Sequence, residues 1–461
     1  MEKTYISNII TNKEIAKWQK GDKILIESQT GSGKSEFIKN SLHDYCLKNN
    51  KRILLLSNRT LLKNQNINDL TNKLDVVSAF NYQRLEFNVL NGSNVENIFN
   101  QYDYIVFDEI HYPFSDSTFN LNSSIILDII NQISDKVFVF ITATPQALKN
   151  YQASYEYTYT LPYDYSYIKD IYFFSRTSVI DSIIQSIHLN EKILYFGSNA
   201  KTTLNLSQQY PNSTFICSNN NKLYDYSNKE TMINIENLAK FRERILFSTS
   251  VLSNGVNLKD AQLKHIVINS SDPISIIQFI GRKRILDPLE RITLYLRDYH
   301  SGQLYYLISG LEKGLKSKEN FKQNNLARYY HHQTSLQLLR PMRKEDSGFQ
   351  KAICKYLQFD HDKVRMADKV FEKISLLKLM KQYEGIHLFG EKKELFRDKF
   401  KDSVFTYKEI SIRKRGIRAL NAALIVNNIC YEIVTRQERK GANRGQRYWM
   451  VVKVEKIENE I

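Results

Sequence analysis

A glycine-containing loop near the start of the chain has the composition of a phosphate-binding loop. The apolar run Ile24–Glu27 leads directly into the segment SQTGSGKS at 28–35, and a helical pattern follows it. Gly31 and Gly33 allow backbone N–H groups to converge on phosphate oxygens, aided by the positive end of the following helix. Lys34 is expected to reach the β and γ phosphates, and Ser35 to bind Mg²⁺. The predicted nucleotide contacts are Gln29, Thr30, Gly31, Ser32, Gly33, Lys34 and Ser35.

Two adjacent carboxylates supply a second chemical element. Asp108 and Glu109 follow the apolar run Tyr104–Phe107, so they are expected at the carboxyl edge of a strand, where parallel sheets bind ligands. Asp108 would hold Mg²⁺ through its water shell, and Glu109 would orient and deprotonate an attacking water. A simple acidic turn is the alternative, but the presence of Lys34 in the same predicted domain favours nucleotide hydrolysis.

Short β-branched runs that alternate with helical patterns must position these groups. In the first part of the chain the predicted strands are Ile24–Glu27, Arg52–Ser57, Tyr104–Asp108 and Val137–Thr142, with crossover helices at Asn40–Cys46 and Leu61–Leu70. A second series of predicted strands is Lys192–Phe196, Thr214–Cys217, Arg244–Ser248, His265–Asn269 and Arg291–Leu296. The tyrosine-rich segment Tyr151–Tyr167 is predicted to be a linker between them. The pattern indicates two tandem α/β domains with doubly wound parallel sheets.

The last third of the chain differs in composition. Long charged helical sequence begins after about residue 305, and a basic helix is predicted over Ile410–Asn427. The strand-like runs Tyr431–Gln437 and Arg447–Val454 follow it, joined by a glycine-containing basic turn. This order favours a winged helix-turn-helix that binds nucleic acid, and a helix and hairpin that only cap the fold are the alternative. The predicted phosphate contacts in the helix are Arg413, Lys414, Arg415 and Arg418.

Charge and composition agree with a nucleic-acid partner. The formal net charge is +16, and residues 301–461 hold 33 Lys/Arg against 19 Asp/Glu. A concentrated basic region indicates a polyanion as partner. The sequence shows no apolar leader and no apolar run long enough to cross a bilayer, so a cytoplasmic protein without a membrane partner is expected. The four scattered cysteines are expected to be reduced thiols, and adjacent Tyr329-Tyr330-His331-His332 is not expected to form a metal site.

The chain resembles superfamily 2 helicases of the DEAD/DEAH-box (DExH) class over about residues 8–300. The resemblance rests on the order of the following segments: Thr30–Ser35, Ile53–Thr60 (motif Ia), Ala79–Gln83 (motif Ib), Asp108–His111 (motif II), Thr142–Pro145 (motif III), Tyr195–Ser198 (motif IV), Ser248–Leu258 (motif V) and Gln278–Arg284 (motif VI). Trp18–Asp22 and the Ser57-Asn58-Arg59 form of motif Ia are similar to helicases of phages and bacterial mobile elements.

The resemblance implies ATP and Mg²⁺ as cofactors and assigns roles to further residues. It implies catalytic roles for Gln278, Arg282 and Arg284, nucleotide contacts from Gly255 and Asn257, and coupling of ATP state to domain closure by His111, Thr142 and Thr144. It places nucleic acid on Asn58, Arg59, Tyr82, Gln83, Ser198, Thr249 and Ser250. The second motif VI arginine follows the first by two residues instead of three, so either Arg284 is re-aimed at the γ-phosphate or Arg282 is the only arginine finger. The family's adenine-recognition motif is not recognisable. Gln19 and Trp18 are candidates for that role, and Trp18 is expected to pack in the core.

The sequence therefore predicts an ATP-dependent helicase with two RecA-like domains, over residues 1–155 and 156–304. A helical basic region over 305–389 and a winged-helix-like domain over 390–461 would follow. DNA is favoured over RNA as the partner. A translocase or remodeller that hydrolyses ATP without strand separation, within a replication or phage-defence assembly, is the alternative. A non-catalytic binding module is disfavoured by the intact Lys34, Asp108, Glu109 and Arg282.

Overall fold

The computed structural model describes residues 4–57, 75–118, 120–148, 150–151, 154–219, 221–252, 256–316, 325–404 and 416–454. The chain forms two compact units. The first comprises Met1–Lys169, Asn190–Leu294 and Tyr299–His361, and the second comprises Asp170–Leu189, Tyr295–Asp298 and Asp362–Ile461.

The first unit contains a parallel sheet of six strands. The strands are β1 Lys23–Glu27, β2 Ile53–Ser57, β3 Val77–Asn81, β4 Tyr104–Asp108, β5 Val137–Thr142 and β6 Tyr157–Thr160, in the order β3-β2-β4-β5-β1-β6. The central strands β2, β4 and β5 are buried along their whole length, as their unbroken apolar sequences predict. In this register Asp108 of β4 lies beside Ile141 of β5, and Glu27 of β1 lies beside Thr142. The chemistry-bearing residues therefore share one edge of the sheet.

Helices cover both faces of this sheet. Their bounds are α1 Ile6–Ile9, α2 Asn12–Ile15, α3 Lys34–Glu36, α4 His43–Lys48, α5 Tyr82–Leu90, α6 Val95–Phe99, α7 Tyr112–Ser115 and α8 Ser124–Gln132. A π-helical turn, Phe37–Leu42, joins α3 to α4. Two apolar clusters, one on each face of the sheet, form the core.

A second parallel sheet has seven strands. They are β7 Ile168–Phe174, β8 Lys192–Gly197, β9 Ser213–Ile216, β10 Ile245–Ser248, β11 Leu263–Asn269, β12 Ile292–Arg297 and β13 Arg365–Met366, in the order β13-β7-β12-β11-β8-β10-β9. Its helices are α9 Val179–Ser186, α10 Ala200–Ser207, α11 Lys229–Leu238 and α12 Pro273–Ile280. The Asp272 side chain accepts hydrogen bonds from Ile274 N and Ser275 N and so fixes the start of α12.

The helical region of the first unit packs on the first sheet's domain. It consists of α13 Ser301–Lys316, α14 Leu326–Arg343 and α15 Gly348–Tyr356. Asn150 bonds to Thr334 and Gln337 of α14 at 2.8–3.3 Å. Tyr330 packs against Phe114 and Tyr151. This helix therefore rests on the segments that follow β4 and β5.

The second unit ends in a helix and hairpin. It contains α16 Ala367–Tyr383, α17 Gly390–Asp402, α18 Ile417–Val426, and the antiparallel strands β14 Tyr431–Gln437 and β15 Arg447–Lys453. The Asn421 side chain on α18 bonds to both the N–H and the carbonyl of Ile433, which fixes the helix against β14. Trp449 lies under two cations of α17, Lys393 at 4.4 Å and Arg397 at 4.6 Å from the ring centre.

The two tandem parallel-sheet domains and the helical C-terminal region confirm the predicted fold class. One interpretation is wrong: the segment Tyr151–Tyr167 is not only a linker, because β6 within it pairs with β1 as an edge strand. The predicted helix Leu61–Leu70 lies outside the described residues. Cys46, Cys217 and Cys354 are buried free thiols and Cys430 is half-buried. No described helix combines the length and apolarity needed to span a bilayer.

Candidate ATPase and nucleic-acid site

The glycine loop has the backbone geometry of a phosphate cradle. Gly31 and Gly33 have φ angles of +87° and +86°, which residues with a Cβ rarely adopt. The loop is anchored below by a hydrogen bond from Ser28 N to Thr142 O. The hydroxyls of Ser28 and Ser32 are buried without a hydrogen-bond partner among the described residues. Unsatisfied donors beside a glycine loop suit an anionic ligand.

Gln29 holds the loop to the chain that follows β6. Its amide nitrogen donates to Asp164 O at 2.8 Å, and its amide oxygen accepts from Asp164 N at 2.7 Å. Both polar ends of this side chain are used. A predicted contact of Gln29 with nucleotide would therefore come from its backbone.

Lys34, Asp108 and Glu109 meet in one buried cluster. Lys34 Nζ lies 2.8 Å from Glu109 Oε1, and the exposed fractions of the three residues are 8%, 6% and 3%. Burial raises the pKa of Asp108 to about 6, against the influence of Lys34. Burial also acts to raise the pKa of Glu109, but Lys34, His111 and Arg282 together lower it to about 2. Glu109 is therefore ionised at neutral pH, as a base for water requires.

The backbone at Glu109 is unusual. Its φ angle is +54°, in the left-handed region that non-glycine residues seldom occupy. This turn separates the directions of two adjacent carboxylates that leave the same strand end. Tyr82 supports it from behind, since its hydroxyl donates to Asp108 O at 2.9 Å.

The residues present fit a magnesium nucleotide. Oδ1 of Asp108 and Oε2 of Glu109 are buried without a hydrogen-bond partner among the described residues. A hard oxygen ligand beside a phosphate cradle is the donor type that Mg²⁺ prefers. Ser35, in the first turn of α3, is exposed and stands next to Lys34 in the chain. The described residues contain no group of three or more His, Cys, Asp or Glu side chains that could hold a metal ion. His331 and His332 are among the described residues.

A chain of close polar contacts leads from the carboxylate cluster to motif VI. His111 Nδ1 lies 3.4 Å from both Glu109 Oε2 and Thr142 Oγ1. Thr142 Oγ1 lies 3.4 Å from Thr144 Oγ1 and accepts from Thr144 N at 3.0 Å. Gln278 then donates to Thr144 Oγ1 at 3.4 Å. The predicted coupling residues His111, Thr142 and Thr144 thus link Glu109 to Gln278 by consecutive polar contacts, and this chain of contacts is called the relay.

Arg282 bonds to Gln278, the last residue of the relay, in the protein interior. Its Nε donates to Gln278 O at 2.7 Å and one terminal nitrogen donates to Gln278 Oε1 at 2.8 Å. Another lies 3.5 Å from Val256 O, and the side chain is 1% exposed. Arg282 therefore holds the C-terminal end of α12 against the chain near Val256.

Arg284 is held differently. Its Nε donates to Asn257 Oδ1 at 2.6 Å. Its side chain makes no other hydrogen bond to the residues that the structure describes. Burial lowers the pKa of Arg284, and Glu109, Tyr167 and Asp108 act in the opposite direction. Its guanidinium thus interacts electrostatically with the carboxylate pair. Asn257, predicted to contact nucleotide, positions this arginine.

Motif VI touches the glycine loop directly. A Cβ atom at Gly281 would lie 2.2 Å from Thr30 Oγ1, a separation that real side chains do not show. Only glycine permits this approach of α12 to the loop. The structure thus brings together Thr30, Lys34, Asp108, Glu109, Gln278, Arg282 and Arg284 from two parallel-sheet domains.

The predicted nucleic-acid contacts are only partly at the surface. Ser198 and Ser250 are exposed, whereas Thr249 is buried. Tyr82 does not fit its predicted role, because it is fully buried and stacks on Tyr112 at 4.7 Å. Its neighbour Gln83 is half-buried. The motif Ia residues Asn58 and Arg59, Gly255, and the basic residues Arg413, Lys414 and Arg415 lie outside the described residues, while Arg418 on α18 is exposed.

Sequence reasoning missed Tyr5 as a site residue. Its ring packs against Gly33, where an added Cβ would lie 3.2 Å from Tyr5 Cδ1, and the next residue, Ile6, donates its N–H to Ser32 O at 3.1 Å. Tyr5 is 43% exposed, so part of its ring is open beside the loop. The upstream Trp18, by contrast, is buried and bonds to Tyr159, as expected for core packing. An aromatic residue in an N-terminal helical segment gave too weak a pattern to single out Tyr5.

Two family profiles match successive parts of the chain. Residues 1–147 match the family described as type III restriction enzyme, res subunit, and residues 175–284 match the helicase conserved C-terminal domain. The chain is a superfamily 2 helicase. The relay and the glycine loop described above belong to these two matched segments. This superfamily 2 helicase is therefore an ATP-hydrolysing enzyme.

Solved structures give more distant likenesses to this superfamily 2 helicase. S. cerevisiae Dbp5 bound to RNA and ADP BeF3 is 13% identical with a TM-score of 0.45, covering 68% of this chain and 89% of that chain. Escherichia coli DEAH/RHA helicase HrpB is 11% identical with a TM-score of 0.44, covering 92% and 61%. Mss116p bound to ssRNA and AMP-PNP is 13% identical with a TM-score of 0.45, covering 87% and 88%. A search of curated proteins gave no significant match.

Proposed function

We propose that this helicase uses a Mg²⁺–ATP complex bound between its two parallel-sheet domains to move along and unwind DNA. The observation that carries this proposal is the relay of close polar contacts from Glu109 through His111, Thr142 and Thr144 to Gln278. Such a relay lets the occupancy of the nucleotide site decide how the second domain is held. Its members come from motifs II, III and VI.

The roles in hydrolysis follow from the geometry of the cluster. The loop from Thr30 to Ser35 cradles the phosphates, and Lys34 exchanges its bond with Glu109 for the β and γ phosphates. Ser35 and Asp108 would hold Mg²⁺, which would neutralise phosphate charge. Glu109 is ionised, and its Oε2 accepts no hydrogen bond among the described residues and lies 3.4 Å from His111 Nδ1. This oxygen accepts a proton from the attacking water.

Arg284 is assigned as the arginine finger and Arg282 as its support. Arg284 interacts with the charges of Asp108 and Glu109, and its side chain makes one hydrogen bond to the residues that the structure describes, from Nε to Asn257. Charge directed at the γ-phosphate stabilises the negative charge that develops during transfer. Arg282 is bound on several sides by Gln278 and Val256, so it fixes the end of α12.

The C-terminal unit supplies a second contact with the nucleic acid. The hairpin β14–β15 carries the exposed cations Arg436, Arg439, Lys440, Arg444 and Arg447. Its acid Glu438 is bound to His387 at 2.9 Å and to two backbone N–H groups of the turn. With α18 beside it, the hairpin supports assignment of residues 390–461 as a winged-helix-like domain that binds duplex phosphates.

The first experiment measures ATP hydrolysis with single-stranded DNA, duplex DNA or RNA, beside unwinding of a forked duplex. Stimulation by single-stranded DNA together with unwinding is the expected result. Stimulation without unwinding would favour a translocase or remodeller, and stimulation by RNA alone would overturn the assignment to DNA.

Glu109→Gln tests the assigned base. The substitution keeps size and backbone conformation but removes the proton acceptor, so turnover is expected to fall about 100-fold or more. ATP binding is expected to remain, measured with a fluorescent nucleotide. Turnover equal to that of the unmodified protein would refute the assignment, and Glu96→Gln at an exposed position of α6 serves as control.

A further inference from the structure

An open cavity of about 690 Å³ lies beside the relay and outside the glycine loop. Its floor includes Ala143 and Pro145 of motif III and Ile277 of α12. Its walls are the segment that carries Tyr163 and Tyr165, together with faces of α14 and α15. A cavity of this volume falls within the range of small-molecule and cofactor sites.

The lining combines aromatic, amide and cationic groups with two carboxylates, Glu27 and Glu345. The rings of Tyr163 and Tyr165 are stacked with centres 6.2 Å apart and planes 16° apart, and Tyr356 of α15 also lines the cavity. Lys351 and Lys355 are four residues apart on α15, so they line one face of that helix. Lys351 is bound to Glu345 at 3.4 Å, and both lysines are exposed to solvent at the rim.

We propose that this cavity binds one nucleotide unit, its base against the tyrosines and its phosphate at Lys355. Aromatic rings accept any base by stacking, and a cation at the rim accepts the phosphate of the same unit. The unit comes either from a single strand held by the enzyme or from a free mononucleotide. The first source rests on the proposed function.

Occupation of the cavity would act on the relay. Tyr163 donates its hydroxyl to Ala143 O at 3.1 Å, between the relay residues Thr142 and Thr144. Ile277 precedes Gln278, which bonds to Thr144. A base that packs on Tyr163 and Ile277 would therefore contact one residue bonded between Thr142 and Thr144 and one residue adjacent to Gln278. Bound nucleic acid would in this way accelerate hydrolysis.

The test uses thymidine oligonucleotides that contain 4-thiothymidine, with thymidine monophosphate as the free competitor. Cross-links are expected on the cavity tyrosines of the unmodified protein, located by mass spectrometry. Loss of cross-linking when thymidine monophosphate is added identifies a free nucleotide as the occupant. Cross-linking that persists identifies the strand.

Two substitutions test the cavity assignment, one by filling the cavity and one by reversing a charge in its lining. Ala352→Trp fills the cavity from α15, and Lys355→Glu reverses the exposed cation without entering the core. Each is expected to weaken oligonucleotide binding at least about fivefold and to remove stimulation of ATP hydrolysis, while basal hydrolysis is unchanged. Lys344→Trp and Lys344→Glu are the controls, because Lys344 is exposed, directly follows α14 and does not line the cavity.

The outcomes separate the cavity from the proposed function. Unchanged oligonucleotide binding and stimulation in both cavity variants would overturn the cavity assignment and leave the helicase proposal standing. An unmodified protein that binds neither probe would overturn both. Binding of the mononucleotide alone, lost in both variants, would support the cavity and contradict a nucleic-acid substrate.

Discussion

Two arginines separated by one residue have different surroundings. Arg282 is buried and makes two hydrogen bonds to Gln278 and one to Val256, whereas the Nε of Arg284 bonds to Asn257. Both guanidinium groups interact electrostatically with the carboxylate pair. Sequence spacing left open which of them faces the γ-phosphate. Their hydrogen bonds favour the proposal that Arg282 supports the end of α12 and that Arg284 stabilises charge on the γ-phosphate.

This difference predicts unequal effects of two matched substitutions. Arg284→Ala should lower turnover about 100-fold or more with little change in unfolding free energy. Arg282→Ala should lower the unfolding free energy by about 2–4 kcal/mol, because it leaves buried acceptors on Gln278 and Val256 unpaired. Urea denaturation and ATPase rates on both variants check this. Equal loss of stability in the two would contradict the assignment.

Asp108 predicts a pH-dependent trade-off between stability and activity. Because burial raises its pKa from 3.8 to about 6, the folded protein holds this proton more tightly than the unfolded chain, and stability is lost as pH rises from about 4 to 6. Asp108→Asn should therefore raise the unfolding free energy at pH 7.5 by about 1–3 kcal/mol while it abolishes hydrolysis.

The measurement is denaturation at pH 5 and pH 7.5 without nucleotide or metal. The gain should shrink at pH 5, where Asp108 is largely protonated in the folded protein. Asp225→Asn, on an exposed 3₁₀ turn, is the control and should change stability little at either pH. A gain independent of pH would show that the buried charge is not the cause.

Among the site residues, those placed by their own local segment of chain could be predicted from the sequence. Lys34 follows a glycine loop, and Asp108 and Glu109 end an unbroken apolar strand, so a local pattern was enough. Tyr82 was misplaced because motif position says nothing about which face of α5 is buried. Tyr5 was missed because its approach to Gly33 is a tertiary contact.

Helix α12 approaches the glycine loop through a single residue without a side chain. Gly281 lies where an added methyl group would overlap Thr30 Oγ1, and its φ of −67° would suit any residue. The glycine is thus required by the contact between elements and not by its own backbone.

Gly281→Ala should therefore impair hydrolysis without unfolding either domain. The added Cβ keeps α12 away from the loop, and turnover is expected to fall about tenfold or more while nucleotide binding persists. Gly310→Ala, in α13 with open space around the new Cβ, is the matched control and should be neutral or stabilising. Full activity of the Gly281 variant would show that this approach is not needed for catalysis.

Strand prediction succeeded for the buried elements because continuous apolar runs leave few alternatives. β4 and β5 begin and end where their sequences predict. β6 was missed because an edge strand alternates half-buried and exposed residues, and its sequence YTYT resembles surface loop. The tyrosines that suggested a linker instead pack as a row beside β1 and the loop.

Positive charge is concentrated in the last third of the molecule. Of the net +16, residues 301–461 contribute +14, from 33 basic and 19 acidic residues. The structure gathers part of this charge on a hairpin whose turn is fixed by its own hydrogen bonds, such as Glu438 N to Gln446 O at 2.9 Å. Charge distribution was predictable from sequence, whereas the rigid hairpin that presents it was only inferred from two strand-like runs.

Removing three of these charges should weaken duplex binding and make the affinity less dependent on salt concentration. In the variant Arg439→Ala, Lys440→Ala, Arg444→Ala, the slope of log affinity against log salt concentration should fall by about 2–3. Fluorescence anisotropy with duplex DNA at several salt concentrations measures it. Replacing the exposed Lys201, Lys222 and Lys240 by alanine removes the same charge elsewhere and should leave more of the slope intact. Equal slopes for both triple variants would mean that the hairpin has no special part in binding.

The burial of the thiols makes the natural chain suitable for site-selective dye attachment. Burial raises the pKa of Cys46 and of Cys354 to about 12 and also raises that of Cys217, so these three side chains carry little reactive thiolate at neutral pH. Cys430 is the most accessible of the four and directly precedes β14. A maleimide fluorophore would therefore react first at the base of the hairpin, and its emission would report whether a duplex engages the hairpin without any cysteine being replaced.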